Sequence, residues 1–441
     1  MKQTKKELNL SEDEYWTQWQ KNRIKIRNSG KELDILHVAI IDEELAAVRD
    51  ALEANGINYS VDFNIISNNM TAEAIRRIYG HTKNTHITSN DSNSKKFKEE
   101  LNDIFAKYDT KIYGIDYLVI SLRAREYSTN SKNYSVLDKK LEHMCREMEY
   151  FIIKFNFPTN VDIEFAGDLK YIENNNKIIT KANQLGYNLK IIPYSYADYK
   201  HAYNERRWIL SLQHKELKFK YNMKIGLDDV DKSELNYKND LVPDELVPER
   251  FFAPDFVLKY NKEMQDKHNG KRCYRPGLVS DKKNLYPGQC TRVYHTAAIS
   301  ETYVKSQNRY SEYLKDKQPR LPTIDELAYW TGWPKEYQDI INAICNDKAA
   351  QRIFMGGMCY EFITNHIQHL FGNCVKHNGK LFDENIKCLR FKLFTDTNFC
   401  LSTYQRCNCK KSPKIGGNVA WPKLSLPQEL KSKKEQAKQL F

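Results

Sequence analysis

Between residues 35 and 213, short apolar, β-branched runs alternate with amphipathic stretches of helical period, and this alternation restricts the fold more than any other feature. Ile35–Ile41 reads as a strand, Glu44–Asn55 as a helix stopped by Gly56, Tyr59–Ile66 as a second strand and Thr71–Tyr79 as a second helix. The series continues with a strand at Tyr117–Leu122, a long helix at Leu137–Phe155, a strand at Val161–Phe165, a helix at Lys177–Leu185, and strands at Leu189–Ile192 and Trp208–Gln213. Strands alternating with helices build βαβ units around a mostly parallel sheet, because a parallel pair needs a crossover long enough to hold a helix. The expected class is α/β, with one doubly wound domain over residues 35–213.

Beyond Lys215 the periodicity dissolves into Pro-, Lys- and Tyr-rich sequence, and helical patterning returns at Thr323–Trp330 and Ile341–Phe371. A long irregular insert in an α/β protein usually has a task such as recognition. Over the whole chain 69 lysines and arginines face 57 aspartates and glutamates, a formal net charge of +12, which suits a polyanionic partner. The excess is densest in the insert, where Lys271, Arg272, Arg275, Lys282, Lys283 and Arg292 interleave with Tyr274, Tyr286 and Tyr294. Cations beside aromatic rings suit phosphate contact with base stacking; a solvated basic loop is the competing reading. Past Gln405 a lysine-rich tail adds to the same charge.

No stretch approaches the roughly 18 apolar residues of a membrane span. The basic N-terminus lacks an apolar segment behind it, so a secretory signal is not expected and the compartment is intracellular, nucleus or cytoplasm. The ten cysteines are then expected as reduced thiols. Cys388, Cys400, Cys407 and Cys409 crowd near the end, but their spacing fits a zinc site poorly and no metal is expected. Near the start, Tyr15, Trp16 and Trp19 mark an amphipathic helix that docks on some surface.

One segment is more specific. Arg320-Leu-Pro-Thr323-Ile-Asp325-Glu326-Leu-Ala328-Tyr-Trp330-Thr-Gly332-Trp333-Pro334 combines a Thr N-cap, Glu326 at the capping-box position and a Gly-aromatic-Pro stop. It resembles the ninth motif of cytosine-C5 DNA methyltransferases, R-x-L-T-x-x-E-x-A-x-x-Q-G-F-P, which in that family lies between the target-recognition domain and the last motif. Other segments resemble the family's motifs in the expected order. Ala197 to Ile209 is similar to the eighth, with Arg207 on its last arginine and Asn204 and Glu205 replacing the earlier ones. Ile115 to Ser128 lines up with the catalytic fourth motif, placing Arg123 at the proline and Ala124 at the nucleophilic cysteine. Asp162 to Ala166 stands at the sixth, with Glu164 on the base-protonating glutamate, and Gln351 to Tyr360 resembles the last without its Asn and Pro.

The resemblance spans roughly residues 35–372 and implies a Rossmann-like fold of the S-adenosylmethionine-dependent methyltransferase type with a smaller, irregular target-recognition-like domain. Residues 1–34 form an N-terminal extension, 35–213 the α/β domain, 214–318 the recognition-like insert, 319–372 the rest of the first domain, and 373–441 a Cys-containing, basic extension. Its departures bear on chemistry. Methylation at C5 needs a thiolate to attack the base, and Ala124 cannot supply one. Where the family's glycines admit the cofactor, this chain has Asp42, Glu43, Glu44 and Leu45, and Asn68 stands at the position of the ribose-gripping acid. No cofactor is therefore expected.

The resulting expectation is a non-methylating relative that binds DNA as a scaffold, or regulates a protein partner such as an active methyltransferase or a chromatin or phage factor. Arg123 and Arg125 would place two cations where the target base enters in the family; an internal ion pair with Glu126 or Glu164 is the alternative for that loop. A nucleic-acid-modifying enzyme of altered chemistry, using Glu126, Glu164 and the arginines, is the alternative for the whole protein. A third reading, an interaction protein, rests on the Tyr15/Trp16/Trp19 helix.

Overall fold

A computed structural model describes residues 11–41, 47–66, 72, 84–88, 95–108, 111–121, 134–166, 176–218, 221, 223–227, 230–253, 258–259, 263, 284–287, 304–311, 316–333, 338, 354 and 358–376. Seven strands form its main sheet: β1 (Leu36–Ile41), β2 (Tyr59–Ile66), β3 (Thr85–Ile87), β4 (Tyr117–Ser121), β5 (Asn160–Ala166), β6 (Tyr187–Ser195) and β8 (Arg206–His214). Their order is β3-β2-β1-β4-β5-β8-β6. Strands β1 to β5 pair in parallel, whereas β8 runs antiparallel to both of its neighbours. This is the α/β, Rossmann-like architecture expected from the sequence, a mostly parallel sheet with one reversed strand.

Period-2 alternation assigns each strand residue to a face. Ala39, Ile41, Leu118, Ile120, Val161 and Ile163 join one core with residues of α3 (Lys95–Ala106), α4 (Tyr134–Lys154) and α5 (Asn176–Gln184). Val38, Ile40, Tyr117 and Val119 face the other core, against α2 (Ala47–Ala54), α6 (Ile324–Trp330) and α7 (Tyr360–Phe371). On β5 that second face carries Asp162 and Glu164, both buried. Two carboxylates are thus turned into a core, and their partners define the site below.

The N-terminal helix α1 (Glu12–Asn28) starts from a Ser11/Glu14 capping box and docks on the chain itself. Trp16 stacks on Tyr113 with centroids 5.7 Å apart, and Arg23 Nε donates to the buried Asp116 at 2.8 Å. Its aromatic face is spent on its own fold. The last described segment returns beside it, with Leu33 and Lys376 amides donating to Cys374 and Leu33 carbonyls.

Several elements differ from expectation. Helix α3 and strand β3 have no counterpart in the sequence pattern, and β6 is longer than Leu189–Ile192 because Pro193 and Tyr194 continue its pairing with β8. Outside the main sheet, β10 (Val304–Ser311) pairs antiparallel with β11 (Asp316–Arg320), and β7 (Tyr203–Asn204) forms a two-residue parallel pair with β9 (Tyr286–Pro287). The pattern over 341–371 is not one helix: Cys359 is extended and acts as N-cap of α7. The expected helix at 71–79 lies outside the described residues except Ala72.

Candidate functional site

The carboxyl ends of the parallel strands β4 and β5 bring Ser121 beside Glu164 in register. In open α/β sheets this edge is where ligands bind. From the antiparallel side, β8 contributes Arg207 opposite Ala166, and β6 contributes Tyr194 opposite Arg207. Four polar side chains from four strands therefore converge.

Glu164 is their centre. Its Oε1 accepts from the Tyr194 hydroxyl at 2.7 Å and Arg207 Nη1 at 3.0 Å, and its Oε2 accepts from Ser121 Oγ at 3.0 Å. Arg207 Nη2 donates to Glu205 Oε1 at 3.3 Å, and its guanidinium lies 5.9 Å from the Tyr196 ring centroid. Burial works against the Arg207 charge, but Glu205, Tyr196 and Glu164 more than offset it and hold the guanidinium protonated. Burial raises the Glu205 carboxyl, with Arg207 opposing the shift. Burial and the Glu164 charge keep Tyr194 a neutral donor. Such an arrangement holds a fixed carboxylate; with 2% of its side chain exposed, Glu164 does not present an open proton-transfer group.

A second buried chain runs one pleat away. Asp162 Oδ2 accepts from the Tyr117 hydroxyl at 2.6 Å and lies 2.7 Å from His366 Nε2, while His366 Nδ1 lies 2.8 Å from the Tyr221 hydroxyl. Phe362 of α7 stacks on Tyr194 at 3.9 Å between centroids and lies face to face with His366. Helix α7 thereby seals both carboxylates beneath it.

The segment from Arg320 to Trp333 has a clear structural role. Arg320 donates to both Glu326 oxygens, Nη2 to Oε1 at 2.7 Å and Nη1 to Oε2 at 2.9 Å, with both side chains fully buried. Glu326 also accepts from the Thr323 and Val242 amides, and Thr323 caps α6. The Arg320 Nη2 atom reaches the Val242 carbonyl as well. These bonds clip residues 242–244 to the start of α6.

Of the residues singled out in the sequence, Glu164 and Arg207 are brought together. Arg123, Ala124 and Arg125, the cofactor-position residues Asp42, Glu43, Leu45 and Asn68, and the insert cations Lys271, Arg272, Arg275, Lys282, Lys283 and Arg292 all lie outside the described residues. So does the cysteine cluster beyond residue 376. The guanidinium paired with Glu164 among the described residues belongs to Arg207. Sequence reasoning passes over Tyr194, Ser121 and His366, although acidic residues alternating with Val161, Ile163 and Phe165 signal a strand face that needs buried partners. It also misses that His201, Cys359 and Glu361 bring ligand atoms within 4.8 Å of one another.

No family model and no curated protein sequence matches the chain. Solved structures that are similar to it include the Entamoeba histolytica methyltransferase EhMeth, at 14% identity and a TM-score of 0.49 over 77% of this chain and 98% of that one. The Schizosaccharomyces pombe Dnmt2 methyltransferase gives 13% and 0.47 over 76% and 98%. A putative DNA modification methyltransferase from an Escherichia coli prophage gives 13% and 0.37 over 73% and 98%. At these identities and scores the likenesses carry no weight for function.

Proposed function

We propose that this chain is a cytosine-C5 methyltransferase-like protein that no longer methylates and whose retained task is to bind DNA, as a scaffold or as the regulatory partner of another protein. The observation that carries the reading is the enclosure of Glu164: at the position the resemblance gives to the base-protonating acid, the carboxylate is satisfied by Tyr194, Arg207 and Ser121. A group so fully paired holds the sheet edge together. The sequence supports the same reading, with Ala124 where a thiolate would act and Asp42 to Leu45 where glycines would admit S-adenosylmethionine. The altered-chemistry alternative requires Glu164 to be reachable by a substrate, and its burial speaks against that role.

Binding would then rest on the cations of the insert, on Arg123 and Arg125, and on the basic tail. The deciding experiment is a duplex-binding titration over a range of salt, run with and without S-adenosylmethionine, alongside calorimetry with the cofactor alone. The expected result is binding that weakens steeply with salt, is indifferent to the cofactor, and is accompanied by no cofactor heat. Micromolar cofactor binding would overturn the non-methylating reading; duplex binding insensitive to salt, or none, would overturn the DNA role.

A further inference from the structure

Besides the Glu164 cluster, three side chains from two separate segments meet around a small space. His201 follows the 3-10 turn Tyr196–Tyr199, whose capping residue Lys200 is left-handed at φ 65° and redirects the chain. Cys359 is the extended N-cap of α7, and Glu361 stands in its first turn. His201 Nε2 lies 2.8 Å from Glu361 Oε2, Cys359 Sγ lies 3.6 Å from the same oxygen, and all three ligand atoms fall within 4.8 Å of one another. Gly332, at φ 77°, leaves room for the imidazole: a Cβ there would sit 2.2 Å from His201 Nε2. The backbone is bare where the ring needs to be.

We propose that His201, Cys359 and Glu361 bind a zinc-class divalent ion. Tetrahedral zinc with metal–ligand distances of about 2.0–2.3 Å sets its ligand atoms roughly 3.3–3.7 Å apart. The Cys359–Glu361 separation already falls in that range, and the His201–Glu361 separation needs to open by about half an ångström. One nitrogen, one thiolate and one carboxylate select a borderline metal over magnesium or calcium, which prefer all-oxygen shells. Three protein ligands leave a fourth position, and the 34% exposure of the Glu361 side chain puts that position within reach of water. On binding, a proton held between Nε2 and Oε2 passes to solvent as the nitrogen–metal and oxygen–metal bonds form, and the Cys359 S–H proton passes to solvent as the sulfur–metal bond forms.

The site would fasten the first turn of α7 to the segment ahead of β7. The next residue, Phe362, stacks on Tyr194, so the anchor lies directly behind the Glu164 cluster. It does not depend on the DNA-binding reading.

The test is cobalt titration of the full chain after chelator treatment, reading thiolate-to-cobalt charge-transfer absorption and the equivalents bound. The C-terminal thiols are removed as competitors by replacing Cys388, Cys400, Cys407 and Cys409 with Ser. That variant should keep one cobalt equivalent with a charge-transfer band, displaced by zinc. Adding Cys359→Ser should abolish the band, and adding His201→Gln or Glu361→Gln should weaken affinity at least about tenfold. Should Cys359→Ser fail to fold by circular dichroism, the partly exposed Glu361→Gln tests the same ligand set without disturbing a buried side chain. No cobalt equivalent in the C-terminal variant, or a band and affinity unchanged by these three substitutions, would overturn the proposal.

Discussion

Arg207 Nη1 lies 3.0 Å from Glu164 Oε1, with the two side chains 5% and 2% exposed, so an ion pair is closed off from water at the carboxyl edge of the sheet. Removing one member of such a pair leaves an uncompensated buried charge, a loss of about 3–5 kcal/mol. Arg207→Met should therefore lower the midpoint of equilibrium urea unfolding severely. The double variant Glu164→Gln/Arg207→Met should recover part of that loss, because Glu164 is then no longer a stranded charge, while Glu205 still loses its guanidinium partner. Losses that simply add would show the two groups to be uncoupled.

Arg320 and Glu326 form a second buried pair, at the start of α6. The guanidinium fork meets both carboxylate oxygens inside the protein and also reaches the Val242 carbonyl. Arg320→Lys keeps the charge but gives up the fork, and should cost about 1.5–3 kcal/mol. Thr323→Ala, which removes only the cap of α6, should cost about 1 kcal/mol. Thermal unfolding separates the two; an Arg320→Lys variant as stable as the parent would mean that charge alone holds the clip.

The parts of this fold legible in the sequence are those with strong local periodicity. Strands β1, β2, β4 and β5 are apolar runs whose type follows from their own residues. Strand β8 is recognisable as a strand, but its antiparallel place between β5 and β6 follows from long-range pairing that no window contains. The capping box at Thr323 and Glu326 is readable because its residues are three apart, whereas the partner that makes Glu326 a buried anion is the Arg320 fork. Glu164 and Arg207 both stand out through the motif order, yet their mutual neutralisation depends on strands 43 residues apart coming into register. His201 and Cys359 give no local signal at all, since their meeting depends on α7 folding back over the sheet.

Gly332 carries two constraints at once. It sits at φ 77°, and any Cβ would meet the His201 imidazole at 2.2 Å. Gly332→Ala should combine left-handed strain of about 1 kcal/mol with displacement of His201, for a total of roughly 2–4 kcal/mol. The companion variant His201→Ala/Gly332→Ala relieves the clash and should be more stable than Gly332→Ala alone in thermal unfolding. The opposite order would place the cost in the backbone and not in the ring contact.

Acid should weaken the fold through its histidines before the lowered carboxylates titrate. Burial lowers the imidazoles of His86, His214 and His369 below their ordinary 6.5, with Lys107 adding to the shift at His86 and His366 and Lys190 at His369. Above about pH 6.5 each ring is neutral in both states, and its contribution is fully present. As the pH falls below that value the unfolded chain takes up protons that the folded chain refuses, so stability declines until the lower folded pKa is passed. Asp244, held low by the Asn308 and Arg309 amides and Arg320 against the cost of its burial, acts only below the ordinary carboxylate value of 3.8. Glu205, raised by burial, works in the opposite sense, so the histidines are isolated by comparing variants. The urea midpoint should fall between about pH 7 and about pH 5, and His86→Gln, His214→Gln and His369→Gln together should flatten that fall. An identical slope in the triple variant would assign the acid sensitivity to other groups.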